Sequence, residues 1–236
     1  MRDKAVYMLA FSPHPIDTEW GIGGTVARMT REGKEVVYVV CTNGDKGSSD
    51  PDMKPEKLAK IREQEQLAAA KVLGVREVIF LRYPDLGLED TPEFRKEVLR
   101  LILGYRPEVV ATCDPNQNMR YFNNRDHRIL GRLVLDAVWP TAQAPNTYRD
   151  LLEQGFQLHR VKEVLLWQTS EPNYKVDISD TFDIKMAAFR CHKSQIGDPV
   201  EPEFADRILQ SARTVAEGEN YRLGEVFHRA EVPPRL

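Results

Sequence analysis

Short apolar runs alternate with longer helical stretches from Ala5 to Trp167, and that alternation leaves few folds open. Val36–Cys41 (VVYVVC) reads as a strand covered on both faces, because a half-exposed strand would alternate polar and apolar residues. Ala5–Phe11, Val78–Leu81, Val109–Cys113 and Val164–Trp167 are further strands of the same kind. Between them lie helices over Gly24–Glu32, stopping at Gly33, and over Pro55–Gly74, with Gly74 as the C-terminal cap. Another opens on Thr91 as N-cap with Pro92 at the first helical position and ends near Gly104; a fourth covers Arg128–Val138. Strands joined by helical crossovers predict an α/β, Rossmann-like fold: a mostly parallel sheet with helices on both faces. After about residue 200 the periodicity weakens. That tail reads as a helix and a less regular arm of the same domain, so residues 1–236 are expected to form a single domain.

A chain of 236 residues with 42% hydrophobic and 29% charged side chains can bury its own core without disulfides. Its net charge of −3 lacks the concentrated positive charge that nucleic acid or an anionic membrane would call for. Cys41, Cys113 and Cys191 are far apart and form no CxxC pair, which argues against a zinc ribbon or a disulfide framework and for a reducing compartment. The first apolar run is interrupted by Pro13 and Pro15, and no segment is long enough to cross a bilayer. A cytoplasmic protein is expected, with a homo-oligomer left open.

In parallel sheets, the loops after the strands' carboxyl ends gather the ligand site. Four such loops are unusually polar: Ser12–Glu19, Thr42–Asp50, Tyr83–Asp90 and Asp114–His127. The first holds His14 and Asp17, which read equally as two metal ligands or as a surface or capping pair. The fourth ends in Asn124-Arg125-Asp126-His127, and His127 is the natural third ligand if both loops open on one edge. The glycines Gly21, Gly23 and Gly24 do not fit G-x-G-x-x-G and are expected to permit close helix–sheet packing. Arg62 can reach the second loop to orient a carboxylate or substrate, or form a surface pair with Glu65. Trp20 and Tyr121 read as an apolar wall against a sugar ring or as core; His159 and His228 have no partner motif.

These residues resemble the LmbE-like, or PIG-L, metal-dependent de-N-acetylases. The carriers are the H-P-x-D-x-E motif at His14, Pro15, Asp17 and Glu19, and the R-D-H motif at Arg125, Asp126 and His127. TNGDKG at Thr42–Gly47, R-x-x-E at Arg62 and Glu65, YPD at Tyr83–Asp85 and CHKSQ at Cys191–Gln195 support it. The resemblance implies a Rossmann-like fold and zinc held by His14, Asp17 and His127. It also implies hydrolysis of an N-acetyl group on a small, amino-sugar-like substrate, with His192 near the site as an oxyanion or proton-transfer group; His192 reads equally as a buried histidine bonded to a backbone carbonyl.

Two positions depart from the family pattern. The motif normally reads H-P-D-D, the first Asp serving as general base; here that place holds Ile16. A family His that assists proton transfer is replaced by Asn124, which is left as a substrate-binding residue beside Arg62. Asp126 is the first candidate for the missing base, with a role in orienting a ligand imidazole as its alternative; Glu19 and His192 follow. The rival functions are a metal-dependent binding protein that lost the chemistry, favoured by Ile16, and a two-His-one-carboxylate iron oxygenase.

Overall fold

The computed structural model describes residues 5–116 and 124–235. Five parallel strands build the sheet's main body: β1 (Met8–Ser12), β2 (Val36–Thr42), β3 (Glu77–Tyr83), β4 (Val109–Cys113) and β5 (Glu163–Trp167). Two more strands, β6 (Tyr174–Asp177) and β7 (Gly224–Glu231), complete the order β3-β2-β1-β4-β5-β7-β6. β7 runs antiparallel to β5, and β6 antiparallel to β7. The sheet is therefore mostly parallel, as the alternation predicts.

The helices are α1 (Asp17–Arg31), α2 (Pro55–Leu73), α3 (Pro92–Tyr105), α4 (Arg125–Val138), α5 (Arg149–Glu153), α6 (Phe182–Phe189), α7 (Lys193–Ile196) and α8 (Pro202–Ala216). Side chains alternate across each strand, so the sheet feeds two cores. Leu9, Phe11, Val37 and Val39 pack with α3 and α4 on one face. Met8, Ala10, Val36 and Tyr38 pack with α1, α2, α6 and α8 on the other. Coverage on both faces is why the strands read as unbroken apolar runs.

Three local expectations shift. α1 starts at Asp17 rather than Gly24, because its first turn is polar and glycine-rich and carries little periodicity. A Cβ on Gly21 would collide with the Trp167 ring, and one on Gly24 would come within 2.8 Å of Ile178, so these glycines do permit close packing. α4 starts at Arg125, which puts His127 inside its first turn. The segment after residue 200 is not an irregular arm: α8 is followed by β7, a strand inside the sheet.

Glu225 on β7 explains part of that placement. Its buried carboxylate accepts hydrogen bonds from the Gly24 and Thr25 amides (2.8 and 2.7 Å) and from Lys185 Nζ (2.6 Å). A buried ion pair thus locks β7 and α6 onto the middle of α1.

Candidate functional site

β1 lies between β2 and β4, with α1 leaving on one face and α4 packed on the other. Chain direction thus diverges at the carboxyl ends of β1 and β4, where open α/β sheets form a crevice. The loops after β1 and β4 meet there. His14 Nδ1 lies 2.9 Å from Asp17 Oδ2, and His127 Nε2 lies 3.2 Å from the same oxygen. The His14 amide also donates to Asp17 Oδ2 (3.0 Å), and the two imidazole centroids are 5.3 Å apart. His14, Asp17 and His127 each present one donor atom, all within 4.8 Å of one another.

Those donors suit a divalent ion of the zinc type, which takes imidazole nitrogen and carboxylate oxygen and keeps a position open in catalytic sites. Electrostatics in the metal-free chain point the same way. Burial disfavours charge on His14, but the Asp17 charge and hydrogen bonds to Asp126, Asp17 and Asp85 outweigh it and push its pKa up to about 11. Burial likewise opposes charge on His127, and Asp17 raises it to about 10. Burial pushes the Asp17 carboxyl up, yet the two imidazoles hold it well below the carboxylate range. Two cationic rings converging on one buried carboxylate are the arrangement a doubly charged ion could replace.

A second cluster stands behind His14. Its Nε2 lies 3.1 Å from Asp85 Oδ1 and 3.2 Å from Asp126 Oδ2. Asp126 is fully buried and accepts from the amides of Leu86 (2.7 Å) and Leu88 (3.2 Å). Both of its oxygens are thus engaged, which suits orienting the His14 ring better than taking a proton from substrate. Asp85 was not singled out as a site residue. Its amide donates to Asp45 Oδ1 (3.1 Å), and Lys46 Nζ donates to its carbonyl, which joins the loops after β2 and β3. The signal for it was the YPD motif, which no local rule converts into a contact with His14.

Arg62 is buried, and its guanidinium donates to Gly44 O (2.8 Å) and Pro15 O (2.9 Å). Through these two nitrogens it ties two loops together. A Cβ at Gly44 or Gly47 would collide with it, which accounts for both glycines of TNGDKG. The surface pair with Glu65 does not form; Glu65 instead accepts from the amide and hydroxyl of Ser194 (2.7 and 2.6 Å). Asn124 is the N-cap of α4, its Oδ1 accepting from the Asp126 amide (2.9 Å), so only its Nδ2 is left for a substrate. His192 is fully buried with its Nε2 3.3 Å from Glu19 Oε2. That burial argues against contact with substrate for either residue.

Trp20 packs edge-on against Phe189 and Phe204 (5.4 and 5.3 Å), an aromatic cluster and not a sugar wall. Tyr121 lies outside the described residues. His159 and His228 are satisfied by the carbonyls of Pro107 (2.7 Å) and Glu171 (2.8 Å).

Ile16 is the unusual residue of the site. It sits at φ 85° in the left-handed region, buried against the α1–α2 core. A β-branched residue rarely adopts that conformation, at a cost of about 1–3 kcal/mol. Its amide donates to Gln66 Oε1 (2.8 Å), a residue the sequence reading passed over.

Residues 9–138 match the family described as PIG-L, GlcNAc-PI de-N-acetylase. The chain belongs to the PIG-L family. It is 37% identical to the diacetylchitobiose deacetylase of Thermococcus kodakarensis, over 82% of this chain and 71% of that one. It is 27% identical to a probable N-acetyl-alpha-D-glucosaminyl L-malate deacetylase 2 of Bacillus cereus, over 89% and 92%. Among solved structures, N,N'-diacetylchitobiose deacetylase from Pyrococcus horikoshii, in complex with an inhibitor, superposes with a TM-score of 0.89 at 32% identity, covering 96% of this chain and 84% of that one. The three expected ligand positions, His14, Asp17 and His127, all keep their donors.

Proposed function

We propose that this chain is a zinc-dependent hydrolase that removes the acetyl group from the nitrogen of a small amino-sugar-like molecule, with His14, Asp17 and His127 holding the metal. The observation that carries the reading is the convergence of those three donors on one point at the switch crevice. The relatives' names add the substrate class, since they are deacetylases of N-acetylated sugars. Zinc in such a site supplies Lewis-acid polarisation of the acetyl carbonyl and makes water a nucleophile near neutral pH.

The rest falls to the chain's own side chains. Asp126, fixed by two amides, accepts from His14 Nε2 and so sets the tautomer that leaves Nδ1 free for the metal. Ile16 accepts no proton. Asp85 is the other carboxylate beside His14 Nε2 and is not held by two amides as Asp126 is, so it takes the proton that the family's missing aspartate would take. Burial pushes the Asp85 pKa up, but the His14 hydrogen bond and charge, aided by Arg62, push it further down. Such a weak base supports slow turnover. Asn124 Nδ2 and the polar loop after β2 offer hydrogen bonds to sugar hydroxyls.

The test is acetate release from N-acetylglucosamine and diacetylchitobiose by protein of measured metal content. Activity lost to a chelator and restored by zinc is expected. Stoichiometric zinc with no acetate released would overturn the hydrolase and favour the binding-protein reading, which Ile16 motivates. Iron retained after anaerobic purification, in place of zinc, would favour the oxygenase.

A further inference from the structure

Both polar atoms of one peptide group are held by one helix. The Pro15 carbonyl accepts from Arg62 (2.9 Å), and the Ile16 amide, on the other side of the same peptide bond, donates to Gln66 Oε1 (2.8 Å). Arg62 and Gln66 are four residues apart on α2 and therefore share a face. Gln66 is fully buried, and its own orientation is fixed. Its Nε2 donates to Glu19 Oε1 (3.0 Å), so a flipped amide would set NH₂ against the Ile16 N–H and oxygen against a carboxylate. Glu19 is anchored in turn by the Thr18 hydroxyl (3.2 Å) and by its contact with His192. This buried chain gives Glu19 and His192 a purpose that the chemistry at the metal does not.

The peptide so gripped is the one that leads into left-handed Ile16, and the next residue is Asp17. A change of φ at Ile16 would swing Asp17, whose Oδ2 meets both imidazoles. We propose that Gln66, acting with Arg62, is a positioning residue of the metal loop: it holds the Pro15–Ile16 peptide in the plane that left-handed Ile16 requires and thereby sets Asp17 between His14 and His127. The inference rests on the zinc-site reading above.

The test is the substitution Gln66→Met, which keeps length and removes both hydrogen bonds. Zinc affinity, measured by competition with a chromophoric chelator, is expected to weaken by ~10- to 100-fold, the usual effect of losing a group that orients a ligand. The ligand-field absorption of the Co²⁺-loaded protein should shift with it. Ile16→Gly, which takes positive φ without steric cost, is then the discriminating partner. In the Ile16→Gly background, Gln66→Met should lose less than half as much affinity on a logarithmic scale. An equal loss in both backgrounds, or affinity within threefold of the parent, overturns the proposal, since a merely structural role would be indifferent to residue 16. In the unsubstituted metal-free chain, the Ile16 amide should resist hydrogen exchange as strongly as amides inside α1. Exchange at the free-loop rate overturns the clamp whether or not the variant folds. Parent protein that binds no added zinc yet protects Ile16 would sink the metal reading and leave the clamp standing.

Discussion

Replacing Ile16 with aspartate is expected to raise kcat for acetate release by at least tenfold. General acid–base assistance contributes about 10²–10⁴ in rate, or roughly 3–5 kcal/mol of barrier, so recovery of even a fraction is measurable. The backbone accommodates the change. Ile16 is strained at φ 85°, whereas aspartate tolerates the left-handed region, which relieves part of about 1–2 kcal/mol. Against this, Ile16 is only 7% exposed and packs into the α1–α2 core, and its loss costs about 2 kcal/mol of apolar burial. The strain relieved is smaller than the burial lost, and the new carboxylate is partly desolvated, so the variant should fold but be about 1–2 kcal/mol less stable than the parent. The assay is steady-state acetate release at matched zinc occupancy, with kcat and KM reported separately. Asp85→Asn supplies the control: it should abolish most of the parent's activity but cost the Ile16→Asp variant little, because that variant no longer depends on Asp85. A folded, zinc-loaded Ile16→Asp protein with unchanged kcat would refute the argument that a missing proton acceptor limits this chain.

His14→Ala and His127→Ala should each remove most bound zinc while circular dichroism stays near that of the parent, because both residues sit at the sheet's rim and not in either core; full zinc occupancy in both would exclude them as ligands. Zinc uptake at pH 7 should expel about two protons, since His14 and His127 have metal-free pKa values near 11 and 10 and a metal needs both rings neutral. Apparent affinity therefore falls as pH is lowered and rises towards the pKa values; calorimetry in buffers of different ionisation enthalpy reads the count, and none released would contradict it. Glu225→Gln leaves the Lys185 ammonium buried without its counter-charge and should cost about 3–5 kcal/mol in urea unfolding, with a loss under 1 kcal/mol ruling out the ion pair as the lock on α1.

Much of the architecture is legible in local pattern. Unbroken apolar runs mark β1, β2, β4 and β5, and helical spacing with good caps marks α2 and α3; Thr91 does accept from the Phe94 amide at 3.2 Å. Once those strands are taken as parallel, the loop after β1, with His14 and Asp17, and the long loop after β4, ending at His127, already open on one edge of the sheet. β6 and β7 escape that reading because each is an edge or near-edge strand. Their residues alternate or carry charge, and only pairing with β5 turns Gly224–Glu231 into sheet.

The amino-acid sequence by itself determined the fold class and the sheet edge on which the loops carrying His14, Asp17 and His127 open, because these follow from side-chain periodicity and from the order of strands and helices. The tertiary structure alone decided what surrounds the donors: Asp85 and Asp126 behind His14, Arg62 and Gln66 on either side of the Pro15–Ile16 peptide, and His192 beside Glu19. Those partners lie 40 or more residues apart in the chain. No spacing rule reaches that far, since a hydrogen bond depends on angles and distances that exist only after the helices have packed on the sheet.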